Sequence, residues 1–264
     1  MTFELHRGRS PLLVSFPHSG TEIPPDIRRR LTHMGRDVPD TDWHVPQLYD
    51  FVRALGAGTI KARVSRYVVD LNRPPDDATL YPGQIKTGLC PTETFDGVAV
   101  YRPGLAPTPD EIAERVERFW RPYHAALQGE LDRLRAAHGV ALLWDGHSIR
   151  SVLPRLFEGR LPDLNLGTNK GKSCARDLRA RLAAKLTAES GFTRVADGRF
   201  VGGYITRHYG RPAEAVHAVQ MELVQACYMD EHPPWTYEPQ KASRLKPLLR
   251  ELIGTMLNWA SARG

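Results

Sequence analysis

The 264-residue sequence predicts an α/β protein, a three-layer sandwich with a mixed, largely parallel central sheet and helices on both faces. Three observations carry this. The runs "PLLVSF" (11–16), "VALLWD" (140–145) and "AVHAVQMEL" (215–223) are short, apolar and strand-like, and each runs into polar residues. Segments of helical periodicity separate them. No internal repeat, low-complexity tract or long linker divides the chain, so one domain over 1–264 is expected.

In chain order, "PLLVSF" suggests a central strand because nothing in it asks for solvent until Pro17 and His18. "VPQLYDFVRALGA" (45–57) predicts a helix with Leu48, Phe51, Val52 and Leu55 on one face, stopped by Gly56. "RYVVDL" (66–71) is short and β-branched, which predicts a strand. Residues 74–107 are rich in Pro, Gly, Asp and Thr, a long loop that suits a lid or a surface connection equally. A long helix follows. Thr108 is its expected N-cap, Pro109 fits the first helical position and Glu111 completes a capping box. Ile112, Val116, Phe119, Tyr123, Leu127, Leu131 and Leu134 keep one face apolar, Pro122 should kink it and Gly139 ends it. A further helix is expected over 175–189, and a last one from about 241 with Pro247 as a kink or break.

Composition bounds the function classes. At 41% hydrophobic and 25% charged residues the chain is an ordinary globular protein, whose core needs no disulfide. Cys90, Cys174 and Cys227 share no close spacing, which fits a reducing compartment and no cysteine-based metal site. "MTFELHRGRS" lacks an apolar signal core and no apolar run is long enough to span a bilayer, so a cytoplasmic protein without membrane contact is expected. The net charge of +6 comes from 36 basic residues scattered among 30 acidic ones, a mixed surface rather than a nucleic-acid footprint, though its field can draw in a small anion.

The chemistry-bearing residues sit where strands give way to loops, which is where α/β sheets bind ligands. "LLVSFPHSG" offers His18, "LLWDGHS" offers Asp145, His147 and Ser148, and "PDTDWH" offers Asp40, Asp42 and His44. Two imidazoles and a carboxylate form the ligand set of a catalytic zinc site, although no H-E-x-x-H signature is present. His44 reads more simply as a helix N-terminal residue. Glu222, near a strand end, is either structurally paired or a general base. "VSRYVVDLNRP" adds Arg66, Asp70, Asn72 and Arg73, where a guanidinium fork can grip a carboxylate or close a buried Asp70–Arg pair. "GGYITRHYG" adds Tyr204 and Arg207 beside glycines, and Arg150 follows His147 closely.

Taken together, "PLLVSFPHSG", "PDTDWHVPQLYDF", "SRYVVDLNRP", "TGLCPTETFDG", "WRPYH", "ALLWDGHSIRS", "LPDLNLGT", "GGYITRHYG" and "HAVQMEL" resemble the N-formylglutamate amidohydrolase (N-formylglutamate deformylase) family over nearly the whole chain. The resemblance implies hydrolysis of N-formyl-L-glutamate to formate and L-glutamate, the last step of a histidine-degradation route, on a small anionic substrate by a monomer or small homo-oligomer. More distantly the layout resembles the zinc carboxypeptidase and aspartoacylase group, which implies a zinc carboxypeptidase or phosphorylase/hydrolase-like fold and one divalent ion, expected to be Zn2+. It implies His18 and His147 as metal ligands, Asn72 and Arg73 as a carboxylate grip, Glu222 as base and Arg66 as a group polarising the scissile carbonyl. The distant group carries its acid ligand three residues after the first histidine, but position 21 here is Thr. Asp42 is therefore preferred as third ligand, with Asp40 and Glu22 as rivals and Asp40 and Asp145 as supporting acids behind the ligands. Arg150, Arg207 and Tyr204 are further candidates for substrate binding. The rival readings are a nucleophile hydrolase using Ser148 or Cys90, a binding module for acidic amino acids or nucleotides, and a zinc amidase for another N-acyl compound.

Overall fold

The structure is a computed structural model and describes residues 2–79 and 87–263. Seven strands form one sheet: β1 (Phe3–His6), β2 (Leu12–Phe16), β3 (Gly58–Ala62), β4 (Ala141–Ile149), β5 (Leu164–Gly167), β6 (Arg194–Ala196) and β7 (Val216–Val224). Their order is β1-β3-β2-β4-β7-β5-β6. The central run β3-β2-β4-β7 is parallel, whereas β1 joins β3 and β5 joins β7 antiparallel. The sheet is therefore mixed and largely parallel, and helices cover both faces.

Alternation along the strands sorts their side chains to the two faces. Leu12, Val14, Phe16, Leu142, Trp144, Val219, Met221 and Leu223 pack in one core with the helices formed by Arg176–Ala188 and Pro239–Ser261. Leu13, Ala141, Leu143, Val216 and Ala218 pack in the other, under Tyr123, Leu127, Leu131 and Leu134 of the Arg121–His138 helix. In chain order the helices are α1 (Pro25–Arg28), α2 (His33–Asp37), α3 (Val45–Leu48), α4 (Pro109–Arg115), α5 (Arg121–His138), α6 (Arg176–Ala188), α7 (Tyr204–Tyr209) and α8 (Pro239–Ser261). Among the described residues no helix is long and apolar enough to cross a membrane.

The capping box is formed: Glu111 N donates to Thr108 Oγ1 (3.3 Å) and Thr108 N donates to Glu111 Oε2 (2.8 Å). A π-helical turn over Val116–Trp120 joins α4 to α5 just before Pro122, whose missing N–H and ring disfavour regular α-helical bonding there. Gly139, at φ 72°, ends α5. Four expectations need correcting. Residues 45–57 split into α3 and a 3-10 turn (Asp50–Leu55), because the chain leaves the α-helical region at Tyr49. α8 begins at Pro239 and runs through Pro247 without a break. Residues 66–71 form no strand. Val68 N donates to Ser65 O and Arg73 N to Asp70 O, so this buried β-branched run is folded into turns. β4 also does not stop before Asp145. It continues to Ile149 because β7 pairs with it through Val224, while β2 ends at Phe16. Of the 74–107 loop, residues 80–86 lie outside the described residues. Beyond them the chain is packed in by Leu89, Phe95, Val100 and Tyr101.

Candidate active site

Because the β2–β4 ladder ends at Ser15 opposite Asp145, two residues before His147, while β4 and β7 run on, a hollow opens beyond the end of β2. The side chains of Asp145 and His147 on β4, and of Gln220 and Glu222 on β7, point to the α5 face, and His147 lies directly beside Glu222 in the ladder. His18 reaches the same place from the turn after β2, and Asp42 arrives on a loop tied down by Asp42 N donating to His18 O (3.0 Å). That loop is further fastened by Tyr228, whose hydroxyl donates to Trp43 O (2.8 Å), and by Gln225, whose amide donates to Thr41 O (3.1 Å).

His18, Asp42 and His147 are buried, and their ligand-type atoms lie within 4.8 Å of one another. The two rings face Asp42 with their Nδ1 atoms, at 3.8 Å for His18 and 3.0 Å for His147. Each Nε2 is held from behind by an acid: His18 by Asp70 Oδ1 at 2.6 Å, His147 by Asp145 Oδ2 at 3.0 Å. A carboxylate behind a ring nitrogen fixes the proton there and turns the other nitrogen towards the cavity, as in metal-binding histidines. Asp42 Oδ1 is buried without a hydrogen-bond partner. A buried carboxylate oxygen left bare costs free energy, and a cation removes that cost. The three residues therefore fit a divalent ion such as zinc in donor type and arrangement.

Burial and charge separate the titrating groups of the site. Burial and the neighbouring Arg66 hold the His18 imidazole below its usual value, against the pull of Asp70. Burial opposes charge on His147 too, but Asp145 and Asp42, one at each ring nitrogen, hold it well above its usual value. Burial alone would raise the Asp70 carboxyl, but His18 and Arg66 keep it far below the carboxylate range. Burial pushes the Glu222 carboxyl up to about 8, against the pull of His147. Acids driven this far apart by their surroundings mark a site where one stays charged and another can carry a proton.

A cavity of about 120 Å³ joins these groups, lined also by Arg66, Asn72, Arg73, Phe95, Arg199 and Phe200. Arg66 donates to Asp70 Oδ2 (2.7 Å) and to Asp40 O (3.3 Å), so the buried Asp70–Arg pair is present and faces the cavity. Arg73 donates to Thr87 Oγ1 (2.6 Å), and its Nε lies 4.0 Å from Asp70. Asn72 is committed at both ends of its amide. Nδ2 lies 2.9 Å from His147 Nε2 and 3.4 Å from Asp145 Oδ2, and Oδ1 accepts from Ile205 N (2.8 Å). It props His147 and the start of α7, and Gly203 is needed beside it because a Cβ there would meet the amide at 2.4 Å.

The rivals for third ligand lie elsewhere. Asp40 Oδ2 accepts from Tyr67 OH (2.6 Å) and Phe95 N (2.8 Å), bracing the loop, and Glu22 pairs with Arg63 on the surface. Asp40 also supports the site through its backbone bond to Arg66, not by touching an imidazole. Three substrate-binding candidates do not line the cavity. Arg150 pairs outward with Asp96 (2.6 Å), Arg207 Nε donates to Gly202 O (2.8 Å), and Tyr204 stacks on His208 and tilts against Trp120. Each follows a cavity residue closely in sequence but makes its contacts elsewhere. His44 precedes α3 as its N-cap residue without a side-chain capping bond, and its Nε2 lies 2.8 Å from Trp235 O, as in a structural residue. The nucleophile reading fails on geometry: Ser148 Oγ is bonded by Tyr228 and Gln225 rather than an imidazole, and burial pushes the Cys90 thiol up to about 11.

Sequence reasoning missed Thr87, Phe95, Leu156, Arg199, Phe200 and Gln220, and the role of Asp70 behind His18. Gln220 was within reach, since it lies two residues before Glu222 on the same face and donates to Glu222 Oε2 (3.2 Å). The others come from loops whose placement no local pattern encodes.

Known proteins place the chain. The family described as N-formylglutamate amidohydrolase matches residues 10–229. The chain is 52% identical over 257 residues to an N-formylglutamate deformylase of Pseudomonas aeruginosa, covering 97% of this chain and 96% of that protein. It is 50% identical over 258 residues to one of Pseudomonas putida, covering 98% and 96%. Among solved structures, the N-formylglutamate amidohydrolase from Ralstonia eutropha JMP134 superposes with a TM-score of 0.82 at 26% identity, over 99% of this chain and 98% of that one. A gene product of Agrobacterium tumefaciens shares the fold, with a TM-score of 0.75 at 16% identity over 98% and 96%. By matched length and by identity alike, the chain belongs to the N-formylglutamate amidohydrolase family.

Proposed function

We propose that this chain hydrolyses N-formyl-L-glutamate to L-glutamate and formate, as the last step of a histidine-degradation route in the cytoplasm, with residues 1–264 acting as one catalytic domain. The observation that carries the reading is the buried His18–Asp42–His147 group opening into the same small cavity as Glu222. Two relatives at 52% and 50% identity, both named N-formylglutamate deformylases, supply the substrate class.

His18, Asp42 and His147 would hold the divalent ion, Zn2+ by the nature of its ligands. When bound, such an ion polarises the formyl carbonyl and acidifies a water molecule. Glu222 takes the proton of the water whose oxygen attacks the formyl carbon, and its raised affinity for that proton suits the task. As the C–N bond breaks, Glu222 returns the proton to the amine nitrogen of the departing glutamate. Arg66, buried at the cavity wall, lends positive charge to the carbonyl oxygen as it becomes an oxyanion. Gln220 orients Glu222, and Asp70, Asp145 and Asn72 keep the two imidazoles in place. Arg73, one contact away from Asp70, holds a substrate carboxylate and so sets the amide against the reacting groups.

The test is hydrolysis of N-formyl-, N-acetyl- and N-succinyl-L-glutamate by metal-replete protein, read as release of primary amine and formate. Turnover of the formyl compound far above the other two is expected. Appreciable rates on the larger acyl groups alone would make it an amidase for another N-acyl compound.

A further inference from the structure

The segment 68–73 carries Asp70, Asn72 and Arg73, three groups of the cavity wall, yet it is folded into turns and joins no strand. A buried strand would pass its carbonyls to a neighbouring strand, whereas buried turns need donors from elsewhere. Side chains of one helical run provide them. Arg115, the last residue of α4, donates to Val68 O (3.2 Å). His124 of α5 donates from Nε2 to Leu71 O (2.9 Å), and Trp120 Nε1 donates to Arg73 O (2.9 Å).

Arg115, Trp120 and His124 are all buried. They stand five and four residues apart, and a regular α-helix turns side chains five residues apart to different sides. The π-helical turn Val116–Trp120 takes up the extra residue, so all three reach the same segment. Such single turns are rare and gather at functional sites. Trp120 is the member nearest the chemistry. Its ring stacks on His124 with centroids 3.7 Å apart and tilts against Tyr204 at 5.6 Å, so its N–H has a fixed direction. Trp120 does not line the cavity, whereas Arg73, whose carbonyl it holds, does. Fixing that carbonyl fixes the peptide plane after Arg73, and with it the direction in which the side chain leaves the backbone.

Resting on the deformylase reading, we propose that Trp120 is the positioning residue of the substrate-carboxylate grip: its indole N–H holds the Arg73 carbonyl and so aims the Arg73 guanidinium into the cavity.

The experiment is a double-mutant cycle on Trp120 and Arg73, read as KM and kcat on N-formyl-L-glutamate. Trp120→Phe keeps an aromatic ring and removes the donor. It should lower kcat/KM about tenfold, chiefly through KM, the effect of leaving one buried carbonyl without its donor. Arg73→Met should lower kcat/KM by more. Adding Trp120→Phe to Arg73→Met should change little further, because no guanidinium remains to be aimed. A residue that only fills the core would cost the same in both backgrounds. If Trp120→Phe does not fold, the cycle is run with Trp120 replaced by benzothienylalanine, which has the shape of tryptophan with sulfur where the N–H stands. Equal losses in the two backgrounds, or an unchanged kcat/KM in the Trp120 variant, would overturn the assignment while leaving the deformylase reading intact. Wild-type protein that does not turn over N-formyl-L-glutamate removes that reading, and this inference with it.

Discussion

The two faces of β2, β4 and β7 are made by alternate residues of the same strands, yet they differ completely in chemistry. Towards α6 and α8 they present Leu12, Val14, Phe16, Leu142, Trp144, Val219, Met221 and Leu223, all within 3% of full burial. Towards α5 they begin apolar, with Leu13, Leu143 and Ala218, and then turn to Ser15, Asp145, His147, Gln220 and Glu222 at the same depth. The dry face can be close-packed because no side chain there needs a partner. The polar face is tolerable only because its groups satisfy one another. Ser15 donates to Asp145 Oδ1 (3.0 Å), Asp145 holds His147, and Gln220 holds Glu222. The difference teaches that one set of strands can anchor the fold on one side and carry chemistry on the other, with neighbouring residues belonging to different tasks.

The sharpest way to break that comparison is to change adjacent residues of β7. Glu222→Gln should lower turnover by about 10²- to 10⁴-fold, the usual worth of a general base, while circular dichroism and bound metal stay as in the parent. Burial raises the Glu222 carboxyl from 4.5 to about 8, so the folded metal-free protein holds this proton more tightly than the unfolded chain does. Its contribution therefore destabilises the metal-free protein as pH rises from about 4.5 to about 8, and the Gln variant should lose that slope in denaturant titrations. A Gln variant of undiminished kcat would remove Glu222 from the chemistry. Next door, Met221→Ala should cost about 2–5 kcal/mol of stability in denaturant melts, because it leaves a cavity in the dry core. Its kcat per folded molecule should remain close to that of the parent. A large kcat loss there would show that the two faces are not separable.

A smaller effect tests the polar groups that flank α5. His124 is buried against Trp120, with Nδ1 bonded to Tyr209 OH and Nε2 to Leu71 O, both at 2.9 Å, so its neutral form is fully satisfied. Burial lowers its pKa to about 3. The unfolded chain binds this proton first, so the stability is present above pH 6.5 and is lost as pH falls towards 3, at about 1.4 kcal/mol per unit for this one group. His124→Gln should flatten that part of the stability profile.

Much of this was legible in the sequence where burial leaves a local mark. β2, β4 and β7 are runs with no solvent-facing position, and the Thr108–Glu111 box needs only four residues to announce a helix start. His18, His147 and Glu222 were readable because polar residues at the end of an apolar run need a reason. The rest depends on contacts that local pattern does not encode. "RYVVDL" has the composition of a strand but is buried in turns, where Asp70 meets His18 and Arg66. β1, β5 and β6 are three or four residues long and lie in the outer parts of the sheet, with too few residues to show a period. Asn72 reads as a substrate grip from the sequence, whereas its contacts to His147 and Ile205 at the cavity wall come from the fold. Arg199 reaches the cavity because the loop before α7 packs against the end of β5 at Leu166 and Gly167 and bonds to Gln220 of β7, and no spacing in the sequence reports that.

The central claim is that the polar face converges on one divalent cation. It is tested most directly by measuring metal content alongside activity, by mass spectrometry of protein dialysed against a strong chelator and then reloaded with zinc. The account expects about one ion per chain, activity that falls and returns with it, and neither in His18→Ala or His147→Ala. Chelated protein that keeps full activity with well under a tenth of an ion per chain would contradict it.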